Sequence, residues 1–292
     1  MKEEKPSQTA ENNAFARASE ALKPESERIC YDPYAKHFLG AQLRQTYENP
    51  LLRNQMLEAW ENAVPGVCDA VLARTHFFDD CLENCICRGI EQLVILGAGY
   101  DTRAFRFDKL KETVKVFELD HPATQNRKLE KVKHLSVSLP DHVVYIPIHF
   151  NHEYFGEKLA KHRYRTDAKT LFIWEGVTYY ISPQAVDTTL NFIVANSGEG
   201  SSVIFDYFPP SVADGTCGLK EAQRLREGLK NFGEDIVFGI DPEKTAKFLS
   251  TRGFYKVNNV TRDIYMPAYF KGKNRKRTVS EIFMFVHATV KP

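Results

Sequence analysis

Apolar positions change their period near residue 90. From Ala14 to about Gly89 they recur every three to four residues, which predicts helices at about 12–22, 34–39, 50–62 and 66–88, with a loop at Cys30-Tyr-Asp-Pro-Tyr34. Beyond Gly89, short apolar runs alternate with helical segments, and strands are predicted at about 92–96, 114–119, 143–149, 170–175 and 201–207. Leu93 to Leu96 is apolar without interruption, as in a strand covered by helices on both faces. Crossovers of this length imply parallel pairing, so the expected fold class is α/β with a doubly wound, mostly parallel sheet.

Local signals refine the boundaries. Ser182-Pro183 reads as an N-cap followed by proline at the first helical position, starting a helix that runs to about Asn196 and stops before Gly198. Residues 209–240 break the alternation with a Pro-Pro turn and a charged helix near 218–231, read as a lid or substrate-side insertion. A helix from Pro242 to Thr251 and strands at about 254–261 and 281–290 follow. The basic run Lys271-Gly-Lys-Asn-Arg-Lys-Arg277 joins those strands and reads as a solvated hairpin tip, an anionic substrate contact being the alternative. Residues 1–11 are polar and expected to be disordered. The rest, 12–292, is expected to be one domain: a helical cap at 12–89, a ligand-binding core at 90–208, the insertion at 209–240 and C-terminal helix and strands at 241–292.

Composition narrows the class. With 43% hydrophobic and 26% charged residues among 292, the chain can bury a sizeable core. Its 39 basic and 38 acidic residues leave a net charge of +1, so no global field favours nucleic acid or an anionic membrane. No apolar run approaches the roughly 20 residues needed to span a bilayer, and no apolar signal core is seen, so a cytoplasmic location is expected. The six cysteines lack paired spacings.

The chemistry gathers where the first strand ends. Gln92-Leu-Val-Ile-Leu-Gly-Ala-Gly-Tyr-Asp-Thr-Arg103 runs from a buried strand into a turn whose Gly97 and Gly99 let the backbone approach a ligand. The next strand closes with Glu118 and Asp120, and an acid there can accept hydrogen bonds from both hydroxyls of a ribose. A dinucleotide fingerprint needs a third glycine or alanine at the helix start, and that position is Thr102. S-adenosyl-L-methionine has no pyrophosphate and does not need that close helix approach. A nicotinamide oxidoreductase is the competing class.

Several blocks then resemble one family. Arg74-Thr-His-Phe-Phe-Asp-Asp80, Val94-Ile-Leu-Gly-Ala-Gly-Tyr-Asp-Thr-Arg103, Phe117-Glu-Leu-Asp-His-Pro122, Trp174-Glu-Gly-Val-Thr-Tyr-Tyr-Ile181, Phe238-Gly-Ile-Asp-Pro242 and Arg252-Gly-Phe254 are similar, in order, to the leucine carboxyl methyltransferase family and its bacterial relatives, over roughly residues 12–290. The resemblance implies a class I methyltransferase: a Rossmann-like sheet with the last strand antiparallel, a helical N-terminal cap and an insertion after the fifth strand. It also implies S-adenosyl-L-methionine as cofactor. Cys81, Cys85 and Cys87 fall one residue short of the spacing that holds an iron–sulfur cluster in radical enzymes using that cofactor, and they read as helix packing residues.

Roles follow for individual residues. Gly97, Ala98 and Gly99 are expected to line the methionine part of the cofactor through backbone groups, with Asp120 on the ribose hydroxyls and Glu118 as the alternative. Phe150 would pack on the adenine ring or belong to the core. Asn151 stands where the family usually has an aspartate that accepts from the adenine amino group, a bond an amide oxygen can also accept. The resemblance sets Glu175 at the cofactor's amino group and Arg74 on its carboxylate; a structural salt bridge is the other reading of both.

On the acceptor side the resemblance singles out Tyr180, in a Glu-x4-Tyr pattern, as a hydrogen-bonding partner for a carboxylate. A carboxylate, ionised at neutral pH, needs no general base to accept a methyl group. A phenol or alcohol would need one, and His121, His149 and His152 are the nearest in sequence, though they read as turn and strand-end residues. No metal-ligand spacing is seen. The expected function is O-methylation of a small-molecule acid or polyketide-like metabolite, with a protein C-terminus as second acceptor and non-catalytic cofactor binding as a third reading.

Overall fold

The apolar run at Leu93–Leu96 becomes the centre of a sheet because each of its faces meets a helix layer. In the computed structural model, which describes residues 5–133, 140–150 and 153–292, the strands are β1 Gln92–Leu96, β2 Lys115–Asp120, β3 Val143–Pro147, β4 Thr170–Trp174, β5 Ser202–Tyr207, β6 Phe254–Val260 and β7 Met284–Val290. They form one seven-stranded sheet in the order β3-β2-β1-β4-β5-β7-β6. β1 to β5 pair in parallel, and β7 runs antiparallel to both of its neighbours. Strands alternate their side chains between faces, so Leu93 and Ile95 join one buried cluster with Phe77, Phe78 and Leu82. Val94 and Leu96 join another with Val186, Leu190 and Ile193.

Among the described residues four α-helices, α1 Gln8–Ala21, α2 Ala41–Glu48, α3 Pro50–Ala63 and α4 Val67–Cys87, precede the sheet, and the helix expected at 34–39 is a 3-10 turn at Ala35–Phe38. The first departs from the sequence reading, because it starts inside the stretch 1–11 expected to be disordered. Ser7 caps it by accepting from the Ala10 N–H at 3.1 Å. Its fully buried apolar positions begin only at Ala14 and Phe15, which cluster with Phe38 and Tyr100, Ala10 being only partly buried against them. The polar first turn therefore gave no periodic signal. α2, too polar to show a clear stripe, was not anticipated, whereas α3 falls where a helix at 50–62 is expected, capped by Asn49 with Pro50 in its first turn.

The segment after β5 holds two helices, Pro210–Asp214 and Lys220–Asn231. The expected helix at 242–251 is shorter, Thr245–Ser250. The basic run 271–277 does not form a hairpin tip: a helix at Arg262–Tyr269 and a 3-10 turn at Gly272–Lys276 lie between β6 and β7. Arg277 is drawn inward because Glu20 of α1, at 2.7 Å, and Asp69 of α4 both pair with it. Cys81 and Cys85 pack inside, and burial pushes both thiols up. Cys87, expected to pack with them, is exposed. Among the described residues no helix is long and apolar enough to cross a membrane.

Candidate functional site

After β1 the chain moves outward through β2 and β3, then returns across β1 to β4 and β5, and ligands of such sheets lie where the strand order reverses. A cavity of about 310 Å³ opens there, beyond the carboxyl ends of the strands. Its floor is the glycine turn. The Gly97 and Ala98 N–H groups both donate to the Leu119 carbonyl, at 2.9 and 3.0 Å, folding the turn over the end of β2. Gly97 has φ of 70°, and a Cβ there would stand 2.4 Å from Val177 Cγ2. Only glycine fits this backbone and this close approach. Gly97, Ala98 and Gly99 all line the cavity.

Asp120 lines it too. One carboxylate oxygen accepts the Gly99 N–H and the other accepts the His121 N–H at 2.6 Å. Burial outweighs these two bonds and pushes its pKa up to about 6. Glu118, the alternative ribose acid, does not line the cavity. It lies two residues deeper on β2, paired at 2.6 Å with Lys128, both side chains being 1% exposed. Burial pushes this carboxyl up to about 7, and its Oε1 has no hydrogen-bond partner. Phe150 lines the cavity and also packs on the core cluster below it. Asn151 and His152 lie outside the described residues. His121 and His149 line the cavity at the β2 and β3 edge, their rings 4.7 Å apart and edge-on.

At the ends of β4 and β5 the geometry is ionic. Arg74, from α4, donates through Nε to Glu175 at 3.0 Å and through Nη1 to Asp206 at 2.7 Å. The other oxygen of Glu175 accepts from Arg103 Nη1 at 2.8 Å. Arg103 also pairs with Asp79 at 2.7 Å and with Asp101. Arg106 continues the web to Asp79 and Asp32, and Arg17 of α1 joins it at Asp32, 2.9 Å away. Burial pushes the Glu175 carboxyl up, but Arg103 and then Arg74 outweigh it and hold it below the usual carboxylate range. Burial would likewise discharge Arg74, and Asp206 and then Glu175 instead keep it firmly charged. Asp206, fully buried with fewer cations near it, is raised.

Tyr180 lines the cavity, and burial raises its phenol well above the usual value, so it is a hydrogen-bond donor at any working pH. The neighbouring Tyr179 is buried and reaches Asp206 at 3.4 Å. The structure thus brings together Arg74, the glycine turn, Asp120, Phe150, Glu175 and Tyr180, and leaves Glu118 outside.

Sequence reasoning missed Asp206, Arg103 and Asp101 as members of the ionic web. Asp206 follows the buried run Val203-Ile-Phe205 just as Glu175 follows Phe172-Ile-Trp174, and the same argument from buried charge would have found it. It also missed the contact of α1 with the 209–240 segment. Ser7, Thr9, Ala10 and Asn13 line the cavity opposite Gly233, Glu234 and Asp235, and Thr9 Oγ1 donates to Glu234 at 2.7 Å. Among the described residues no group of three or more His, Cys, Asp or Glu side chains is placed to hold a metal ion.

Comparison with known proteins bears on this arrangement. The family model for leucine carboxyl methyltransferase matches residues 10–194. A Bacillus subtilis protein, YktD, provisionally named an S-adenosyl-L-methionine-dependent methyltransferase, is 26% identical over 220 residues, covering 75% of this chain and 72% of its own. A similarly named protein of Mycolicibacterium vanbaalenii is 30% identical over 234 residues, 78% of this chain and 74% of its own. Among solved structures, a provisionally assigned methyltransferase from Thermobifida fusca superposes with a TM-score of 0.61 at 14% identity, covering 99% of this chain and 96% of its own, which is a likeness of fold.

Proposed function

The chain belongs to the leucine carboxyl methyltransferase family, and from that premise we propose that it is an S-adenosyl-L-methionine-dependent O-methyltransferase that esterifies a carboxylate of a small, largely apolar acid or polyketide-like metabolite. The observation that carries the cofactor reading is the placement of the Arg74–Glu175 pair beside the glycine turn and Asp120. These residues fit the group: a guanidinium for its carboxylate, a carboxylate for its ammonium, an acid for its ribose, and a glycine turn whose backbone lines the cavity.

When bound, the cofactor supplies an electrophilic methyl group on a sulfonium. The protein's part is placement. Tyr180 would hold the acceptor oxygen by a donated hydrogen bond, in line with the methyl group. Thr9 and Glu234 would join α1 to the 209–240 segment over the cavity and exclude water, which favours a reaction that neutralises charge. A carboxylate acceptor needs no histidine base, and the two described histidines of the cavity belong to the β2 and β3 edge, on the far side of β1 from Tyr180. Val177 and Ile181, which line the cavity on either side of Tyr180, offer apolar surface for the body of the acid. A cytoplasmic setting belongs to the same reading, supported by six unpaired cysteines.

Calorimetric titration with S-adenosyl-L-methionine, S-adenosylhomocysteine and NAD tests the cofactor. Binding of the first two alone is expected, and binding of NAD alone would sink the reading. Incubation with methyl-labelled cofactor and a panel of hydrophobic acids tests the acceptor. A methyl ester releases its label as methanol in mild base, whereas a base-stable label would show an ether or amine product instead.

A further inference from the structure

Arg74 and Glu175 form a buried pair with the polarity of an amino-acid headgroup, one cation against one carboxylate. We infer that Asp206 and Arg103 are positioning residues that hold the two members from behind while the headgroup of the cofactor inserts between them. This rests on the reading above that Arg74 and Glu175 take the carboxylate and ammonium of the cofactor. Insertion is then an exchange of partners: Arg74 trades the Glu175 carboxylate for that of the ligand, and Glu175 trades the guanidinium for the ligand's ammonium. Charge is conserved.

The difficulty lies in the exchange. A charge buried without a partner is costly, and Arg74 and Glu175 are 3% and 14% exposed. Neither is stranded here, because each keeps a second partner on the side away from the other. Arg74 retains Asp206 at 2.7 Å. Glu175 retains Arg103 at 2.8 Å, and Arg103 is itself fixed by Asp79 and Asp101. Asp206 does more than pair with Arg74, since its other oxygen accepts the Gly176 N–H at 2.6 Å and so fixes the backbone directly after Glu175. Gly176 has φ of 73°, and a Cβ there would meet Arg74 Nη1 at 3.5 Å, so the turn and the guanidinium are packed as one unit under one carboxylate. Asp206 thereby sets the spacing of both charges.

The test compares two ligands on the full-length protein: S-adenosylhomocysteine, which carries the amino-acid headgroup, and 5′-methylthioadenosine, which lacks it. Asp206→Asn keeps an oxygen for Gly176 and removes the charge behind Arg74. Its affinity for S-adenosylhomocysteine should fall on the order of ten- to hundredfold, with methylthioadenosine binding unchanged. Arg103→Lys, which loses the fork that reaches Glu175 and Asp79 together, should show the same selectivity and keeps the test open should Asp206→Asn not fold. Equal losses for both ligands, or no loss, would overturn the inference in favour of a purely structural role. Arg74→Ala run alongside separates the two levels. If it too fails to discriminate between the ligands, the headgroup assignment is wrong; if it discriminates and the other two variants do not, only the positioning roles fall.

Discussion

Two edges of the same cavity bury carboxylates by different means. At the β4 and β5 edge, Glu175 is met by both Arg74 and Arg103 and stays below the usual carboxylate range, whereas Asp206, met by Arg74 alone, is raised. At the β2 edge Asp120 is met by two backbone N–H groups and Glu118 by a single lysine, and both carboxyls are pushed up, to about 6 and about 7. Burial is similar in the two places, so the number of nearby cations decides the sign. Glu175, which lines the cavity, is thus kept ionised, as the proposed charged headgroup would require, while Asp120 in the same proposal needs only to accept from neutral hydroxyls.

The largest effect should come from unbalancing the ionic edge. Arg74→Ala leaves Asp206 buried without its cation and should lower the unfolding free energy by about 3–5 kcal/mol, read from urea denaturation. A loss under about 1 kcal/mol would mean that the two edges do not differ in how they carry charge. At the other edge, Asp120→Ala should weaken cofactor binding by at least about 1.5 kcal/mol in a calorimetric titration, through the lost charged hydrogen bonds. An unchanged affinity would remove Asp120 from the site.

A pH series sharpens the contrast further. The Asp120 pKa is raised, so protonation favours the fold while removing an acceptor from the ribose; its contribution to stability is present at low pH and lost as pH rises through about 6. Binding runs the opposite way, and cofactor affinity should fall about tenfold from pH 7 to pH 5. Glu175, held low, should add nothing in that window. Asp120→Asn should flatten the profile, and a profile that keeps its slope in this variant would assign the titration elsewhere. The smallest effect belongs to Tyr145, which faces Glu118 across the β2–β3 register and whose hydroxyl, like Glu118 Oε1, has no partner. Tyr145→Phe should change stability by less than about 1 kcal/mol or raise it, by thermal melting, because it deletes an unsatisfied group. A marked loss would show that the hydroxyl is satisfied in solution.

The same contrast explains what the sequence discloses. The ligand-facing floor was legible because its causes are local: an apolar run, a glycine turn, an acid at the end of the next strand. Arg74 and Glu175 were legible because a charge in an apolar neighbourhood needs a partner. The sequence favours Asp120 over Glu118, but pattern does not exclude Glu118, since residues two apart share a face; the opening of the cavity at Asp120 and the pairing of Glu118 with Lys128 distinguish them. Arg277 was misread for the converse reason: its partners Glu20 and Asp69 lie more than 200 positions away in the chain, and a basic run looks solvated until they are found. Thr9 and Glu234, 225 positions apart, gave no signal because a single hydroxyl on a polar turn has no periodicity.

The placement of β7 between β5 and β6 has a consequence for biosynthesis. All five parallel strands leave the ribosome before Met284–Val290, the strand that pairs with β5. Until then β5, buried along its whole length in the finished fold, offers an open edge to any extended segment nearby. The yield of correctly folded chains is therefore governed by how long that edge waits for its own last strand in the presence of competitors, a kinetic exposure that the stability of the completed sheet does nothing to shorten.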